Sequence, residues 1–146
     1  MSTAHLSLTA GRGPGSDPRR PWLLIEDDTI DDVAFRRAAK QAGLTAPIVT
    51  TPTIDTALVR LLQAPRPRLI ILDLNLPGRG GLDALGDLRH HGIPIVILTT
   101  SRDERDVARA HASGIAGFFA KPLDRQAYQD TVTLLVQYWN RAEVAP

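Results

Sequence analysis

A chain of 146 residues, 43% of them hydrophobic, is long enough for one domain with a sizeable core and too short for two. Its formal charge is +1, so no strong field favours a nucleic acid or an anionic membrane, and no apolar run approaches the roughly 18 residues of a membrane span. The lack of cysteine excludes disulfides, a thiol nucleophile and a thiolate metal site, and it suits a reducing cytoplasm, the expected location.

Residues 1–21 are expected to form a flexible arm. Gly11, Gly13, Pro14, Gly15, Ser16, Pro18 and Pro21 stand among arginines, with no periodic apolar face to offset the entropy of ordering. The arm also lacks the apolar centre of a secretion signal. A single domain is expected over residues 22–142, with a short tail over 143–146.

Within that domain, short apolar runs alternate with stretches of helical spacing. Trp22–Ile25 predicts the first strand, and Val33, Phe35, Ala38, Ala39 and Ala42 predict a helix that Gly43 closes. Ile48–Thr51 is a second strand, followed by helical spacing at Ile54, Leu58, Leu61 and Leu62. Leu69–Leu72 is a third, followed by Leu82, Leu85 and Leu88. Ile93–Leu98 is a fourth, followed by Val107, Ala110 and His111. Ala116–Ala120 is the fifth, followed by Tyr128, Val132, Leu135 and Trp139. Five strand–helix pairs in strict alternation predict an α/β fold, a doubly wound parallel sheet covered on both faces.

Such sheets bind ligands at the carboxyl ends of their strands. Strand one ends in Glu26, Asp27 and Asp28, strand three in Asp73, strand four in Thr99 and Thr100, and strand five in Lys121 and Pro122. Each has a plainer reading when taken singly. A strand-end aspartate is commonly a helix cap, Asp27–Asp28 favours a helix dipole, Thr99–Thr100 can cap a helix, and Lys121–Pro122 can be a turn. Together they describe a site. If strands one and three are neighbours, Glu26, Asp27 and Asp73 converge, at a repulsion above about 1 kcal/mol per pair. A hard divalent cation answers that repulsion, and Mg²⁺ suits a site with few protein ligands. Lys121 adds a fixed positive charge. Acids, a metal and a lysine cradle a phosphoryl group while a carboxylate attacks in line, which makes Asp73 a nucleophile of the aspartyl-phosphate kind.

The segments Leu24-Ile25-Glu26-Asp27-Asp28, Asp73-Leu74-Asn75-Leu76-Pro77 with Gly81, Ile97-Leu98-Thr99-Thr100-Ser101 and Phe118-Phe119-Ala120-Lys121-Pro122 resemble those of response-regulator receiver domains. The resemblance runs from about Trp22 to Trp139. It implies a flavodoxin-like sheet in the order 2-1-3-4-5 and a phosphoryl group accepted from a sensor histidine kinase. It also implies that Asp27 is the direct Mg²⁺ ligand, with Glu26 acting through water. Asp73 is the phosphoacceptor and a further ligand, and Asn75 offers the metal its backbone carbonyl. Thr99 is the switch hydroxyl, Lys121 the phosphate partner, and the peptide before Pro122 is expected to be cis. Phe118 takes the place of a switch aromatic, or is simply core. Asp28 either adds charge at the metal or faces away. Gly78, Gly80 and Gly81 make a permissive loop. The Thr99-Thr100-Ser101 run and the aromatic end of the last helix resemble small stand-alone regulators that partner bacteriophytochrome kinases.

No reading helix or further domain is visible, so output is expected through the receiver's own surface and not through DNA. Ala127, Thr131, Leu134 and Tyr138 form a second stripe on the last helix. It is read either as broad packing or, with Trp139, as a homodimer interface at Leu134, Tyr138 and Trp139. A shuttle or phosphate sink, and a phosphorylation-independent module, are the alternative roles. A phosphatase of the aspartate-nucleophile type would place a second acid where Asn75 stands. The expected chain is therefore no turnover enzyme.

Overall fold

The computed structural model describes residues 17–145. Five strands alternate with five helices: β1 Trp22–Ile25, α1 Thr29–Gln41, β2 Ile48–Thr51, α2 Ile54–Leu61, β3 Leu69–Leu72, α3 Gly81–Arg89, β4 Ile95–Thr99, α4 Glu104–Ala112, β5 Gly117–Ala120 and α5 Arg125–Arg141. The strands form one parallel sheet in the order β2-β1-β3-β4-β5. This is the doubly wound, flavodoxin-like α/β fold that the alternation and the resemblance led us to expect.

Strand side chains alternate between faces, and the two faces build two cores. Trp22, Leu24, Leu69, Ile71, Val96 and Leu98 pack against Phe35, Ala38 and Ala39 of α1 and against Val132, Leu135, Val136 and Trp139 of α5. Leu23, Ile25, Ile70, Leu72, Ile95 and Ile97 pack against α2, α3 and α4 through Ile54, Ala57, Ala84, Leu85, Leu88 and Ala110. Each large apolar side chain buried in this way stabilises the fold by about 1.5–3 kcal/mol.

The outer strands are less enclosed than their apolar runs suggested. The edge strand β5 is half-buried throughout, and β2 is so except at Thr51. An edge strand lacks a neighbour on one side. β4 starts at Ile95, two residues later than expected, because Pro94 has no N–H to give the ladder.

Local chemistry sets the helix ends. Asp28 caps α1, its Oδ1 accepting from the N–H groups of Ile30 (2.8 Å) and Asp31 (3.2 Å). Gly43, at φ +96°, closes the same helix as expected. Gly81 is closely packed, since a Cβ there would lie 3.1 Å from Leu74 Cδ2 and that side chain would have to give by a few tenths of an ångström.

Residues 1–16 of the expected arm, and Pro146 of the expected tail, lie outside the described residues. Residues 17–21 are described and meet the domain. Pro21 is buried, its carbonyl accepts from Arg68 N (2.8 Å), and Arg20 Nε donates to the Arg66 carbonyl (2.7 Å). At the other end Val144 packs partly against the first core. Among the described residues no helix is long and apolar enough to cross a membrane.

Candidate phosphoacceptor site

The ladder hydrogen bonds run one residue past three strands. Glu26 N donates to Thr51 O (3.0 Å), Asp73 N to Ile25 O (3.2 Å) and Lys121 N to Thr99 O (2.7 Å). Ile25 is level with Leu72, so Glu26 and Asp73 emerge side by side. Parity then decides the face. Glu26 follows Trp22 and Leu24, Asp73 follows Leu69 and Ile71, and Lys121 follows Phe119. All three belong to the α1/α5 side of the sheet.

Lys121 Nζ binds all three nearby acids: Glu26 Oε1 at 2.7 Å, Asp31 Oδ2 at 3.2 Å and Asp73 Oδ2 at 3.3 Å. Thr99 approaches from the opposite face, fully buried, and its Oγ1 donates to Asp73 Oδ1 at 2.9 Å. Asp73 Oδ1 also accepts from Asn75 N at 3.1 Å. The Asp73 carboxylate is thus gripped by an ammonium on one oxygen and by a hydroxyl and an amide on the other. It is 6% exposed.

Burial pushes the Glu26 carboxyl up to about 6, with the Lys121 ammonium working against the rise and the Asp73 charge adding to it. For Lys121, burial disfavours the charged form. The Glu26 hydrogen bond and the charges of Asp73, Glu26 and Asp31 outweigh that, and the ammonium is held above its ordinary value.

Carboxylate oxygens of Glu26, Asp31 and Asp73 lie within 4.8 Å of one another. With Lys121, these three acids carry a formal charge of −2 when all are ionised, which one divalent cation would cancel. Oxygens on a small octahedral ion stand roughly 3 Å apart when adjacent and roughly 4.2 Å when opposite, so the three side chains would close in on a bound ion. The all-oxygen donor set suits a hard cation. The acidic triad is able to bind a divalent metal.

The triad holds an acid that the sequence did not single out: Asp31, from the first turn of α1, lies inside it, while Asp27 is exposed and outside it. Sequence reasoning passed over Asp31 because it is not at a strand end. The available signal was that a helix starting at Thr29, just past a strand tip, carries its first turn over the site. Asp28 is spent on the helix cap, and its N–H donates to Glu26 Oε2 at 3.3 Å.

Asn75 enters through its amide N–H and through its side chain, whose Nδ2 donates to Thr100 Oγ1 (2.7 Å). Phe118 is half-buried on the α2–α4 side, level with Ile97 and on the same face as Thr99. The peptide before Pro122 is trans, against the expectation. The cis peptide among the described residues is Ala64–Pro65. On α5, Leu134 is 56% and Tyr138 61% exposed, but Trp139 is 8% exposed and belongs to the core.

The family described as Response regulator receiver domain matches residues 23–133. The chain belongs to that family. A receiver domain is a phosphoacceptor signalling module rather than a catalytic enzyme, and receiver domains partner histidine kinases. The chain is 31% identical over 126 residues to the probable methanogenesis regulatory protein FilR2 of Methanothrix harundinacea, covering 80% of this chain and 81% of that one. It is 27% identical over 141 residues to response regulator Rcp1 of Synechocystis, covering 90% and 96%. The Mn²⁺-bound crystal structure of Rcp1 superposes with a TM-score of 0.78 at 26% identity, over 87% of this receiver and 99% of that chain. The phosphorylated cyanobacterial phytochrome response regulator RcpA shares the fold, with a TM-score of 0.79 at 24% identity over 88% and 99%.

Proposed function

We propose that this receiver domain is a two-component response regulator that accepts a phosphoryl group from a sensor histidine kinase onto Asp73. One observation carries the reading: the buried Asp73 carboxylate lies between Lys121 Nζ at 3.3 Å and Thr99 Oγ1 at 2.9 Å, beside two further acids. In the transfer, an Asp73 oxygen forms the new bond to phosphorus as the N–P bond of a phosphohistidine breaks, and the imidazole leaves with that electron pair.

Mg²⁺, when bound, would neutralise charge on the phosphoryl oxygens. Glu26, Asp27 and Asp73 are its proposed protein ligands, Asp27 directly and Glu26 through water, together with the Asn75 carbonyl. The Mn²⁺-bound form of the similar Rcp1 supports a divalent ion. Lys121 supplies the fixed charge and Thr99 a hydroxyl donor. Phe118, on the face of Thr99, is the aromatic proposed to repack with it.

The kinase is proposed to be of phytochrome type. That reading rests on the sequence resemblance, and RcpA shares the fold. Leu134 and Tyr138 are the proposed homodimer contact, with Trp139 contributing only its edge.

The reading is tested with acetyl phosphate and Mg²⁺. Intact-mass measurement should show a labile gain of one phosphoryl group, absent in Asp73→Ala. A gain that survives in Asp73→Ala, or no gain in the native chain, overturns it.

A further inference from the structure

Asp31 is a carboxylate in the triad that the transfer chemistry does not call for. It is 43% exposed at the rim and ion-paired to Lys121 at 3.2 Å. Its oxygen lies within 4.8 Å of those of Glu26 and Asp73. An ammonium has three N–H donors, and Glu26, Asp31 and Asp73 take all three. A phosphoryl group on Asp73 adds negative charge and three acceptor oxygens. The N–H that Asp73 holds at 3.3 Å can pass to the first of these oxygens, and any further one that Lys121 serves must be won from Glu26 or Asp31.

The Glu26 contact is the shortest and lies in a side chain only 3% exposed, so it is the last to yield. Asp31 can turn to water. Its charge, a few ångströms from the reacting oxygen, also repels a phosphoryl group more than it repels the bare carboxylate.

We infer that Asp31 is a tuning residue that weakens the hold of this site on a phosphoryl group, by competing for Lys121 and by repelling the incoming charge. It keeps the resting state populated and makes the loaded state easier to discharge. The effect acts through Lys121 and through space, so Asp31 is a positioning residue and not a catalytic one. The inference rests on the phosphoacceptor reading of Asp73.

Beryllofluoride, a non-covalent phosphoryl mimic, separates the two. Its affinity is measured by calorimetry at saturating Mg²⁺ for the native chain, Asp31→Asn, Asp31→Ala and Asp73→Asn. Saturating Mg²⁺ removes any loss of metal affinity from the comparison. Both Asp31 variants should bind the mimic about tenfold more tightly, a gain set by one unit charge near a half-exposed site. A tighter complex is not a result that simple destabilisation produces. Native binding that is lost in Asp73→Asn, with unchanged or weaker binding in both Asp31 variants, overturns the role of Asp31 and leaves the phosphoacceptor reading standing. Binding to the native chain that Asp73→Asn does not alter, or no binding at all, overturns the phosphoacceptor reading and this inference with it.

Discussion

Glu26 is almost fully withdrawn from water, and its carboxyl holds its proton up to about pH 6. The unfolded chain releases that proton near 4.5. Between those values the folded form binds the proton and the unfolded form does not, so this group's contribution to stability falls as pH rises. Across the window the loss amounts to about 2 kcal/mol. Urea denaturation without metal, at pH 4.5 and pH 7, should therefore show a larger drop for the native chain than for Glu26→Gln. Magnesium favours the ionised carboxylate, so it should raise stability more at pH 7 than at pH 4.5. Equal pH dependence in the two proteins would mean that Lys121 compensates the buried charge fully. Glu26, Asp73, Thr99 and Lys121 were legible in the sequence because a parallel strand hands its last residue, or the one after it, to the site. Asp31 was not, because a helix residue reaches a site through the pitch of its first turn, which strand-end reasoning does not follow.

Arg68 shows how one element is pinned to another. It is 2% exposed, and its guanidinium donates to the carbonyls of Trp139 and, at 2.6 Å, Ala142. Those carbonyls belong to the C-terminal end of α5, where helix acceptors have no partner of their own and the dipole favours a cation. Arg68→Met should lower stability by about 2–3 kcal/mol in urea denaturation, because it leaves shielded carbonyls without their charged donor. Arg68→Lys should recover only part, since one ammonium cannot reproduce the fork. The last turn of α5 should exchange amide hydrogens faster in both variants. An Arg68→Met protein as stable as the native chain would show that water serves those carbonyls equally well. All five helices were readable from apolar spacing, but the spacing misplaced some faces. Val33 is 52% exposed while Phe35 is buried, and Val136 is buried without having been singled out. Periodicity finds a helix more reliably than it finds the azimuth at which two neighbours clamp it. The polar Arg68, lying outside any apolar stripe, left no such signal.

The sheet divides the molecule, and the site joins its two sides. Glu26, Asp73 and Lys121 emerge on the α1/α5 side, while Thr99 and Phe118 belong to the side of α2, α3 and α4. A change at Asp73 is felt directly by Thr99 through the 2.9 Å hydrogen bond that crosses between them. The alternation of strand and helix in the sequence predicted this three-layer plan, but adjacency of β1 and β3 came from the family resemblance, since periodicity carries no strand order. On the proposed reading, phosphorylation of Asp73 would reach the surface through α5, whose buried stripe packs on the first core while Leu134 and Tyr138 stand outside it. If that outer face is where two copies meet, Leu134→Asp should weaken the dimer at least tenfold in sedimentation, since an aspartate would be desolvated at an apolar contact. At concentrations where both proteins are monomeric, the same variant should bind beryllofluoride as the native chain does, because Leu134 touches neither the acids nor Lys121. Coupling requires more: with Mg²⁺ and beryllofluoride the native dimer should change affinity several-fold, since a ligand shifts an assembly only by its differential affinity for the two states. Equal dimer constants with and without the mimic would separate this dimer contact from phosphorylation.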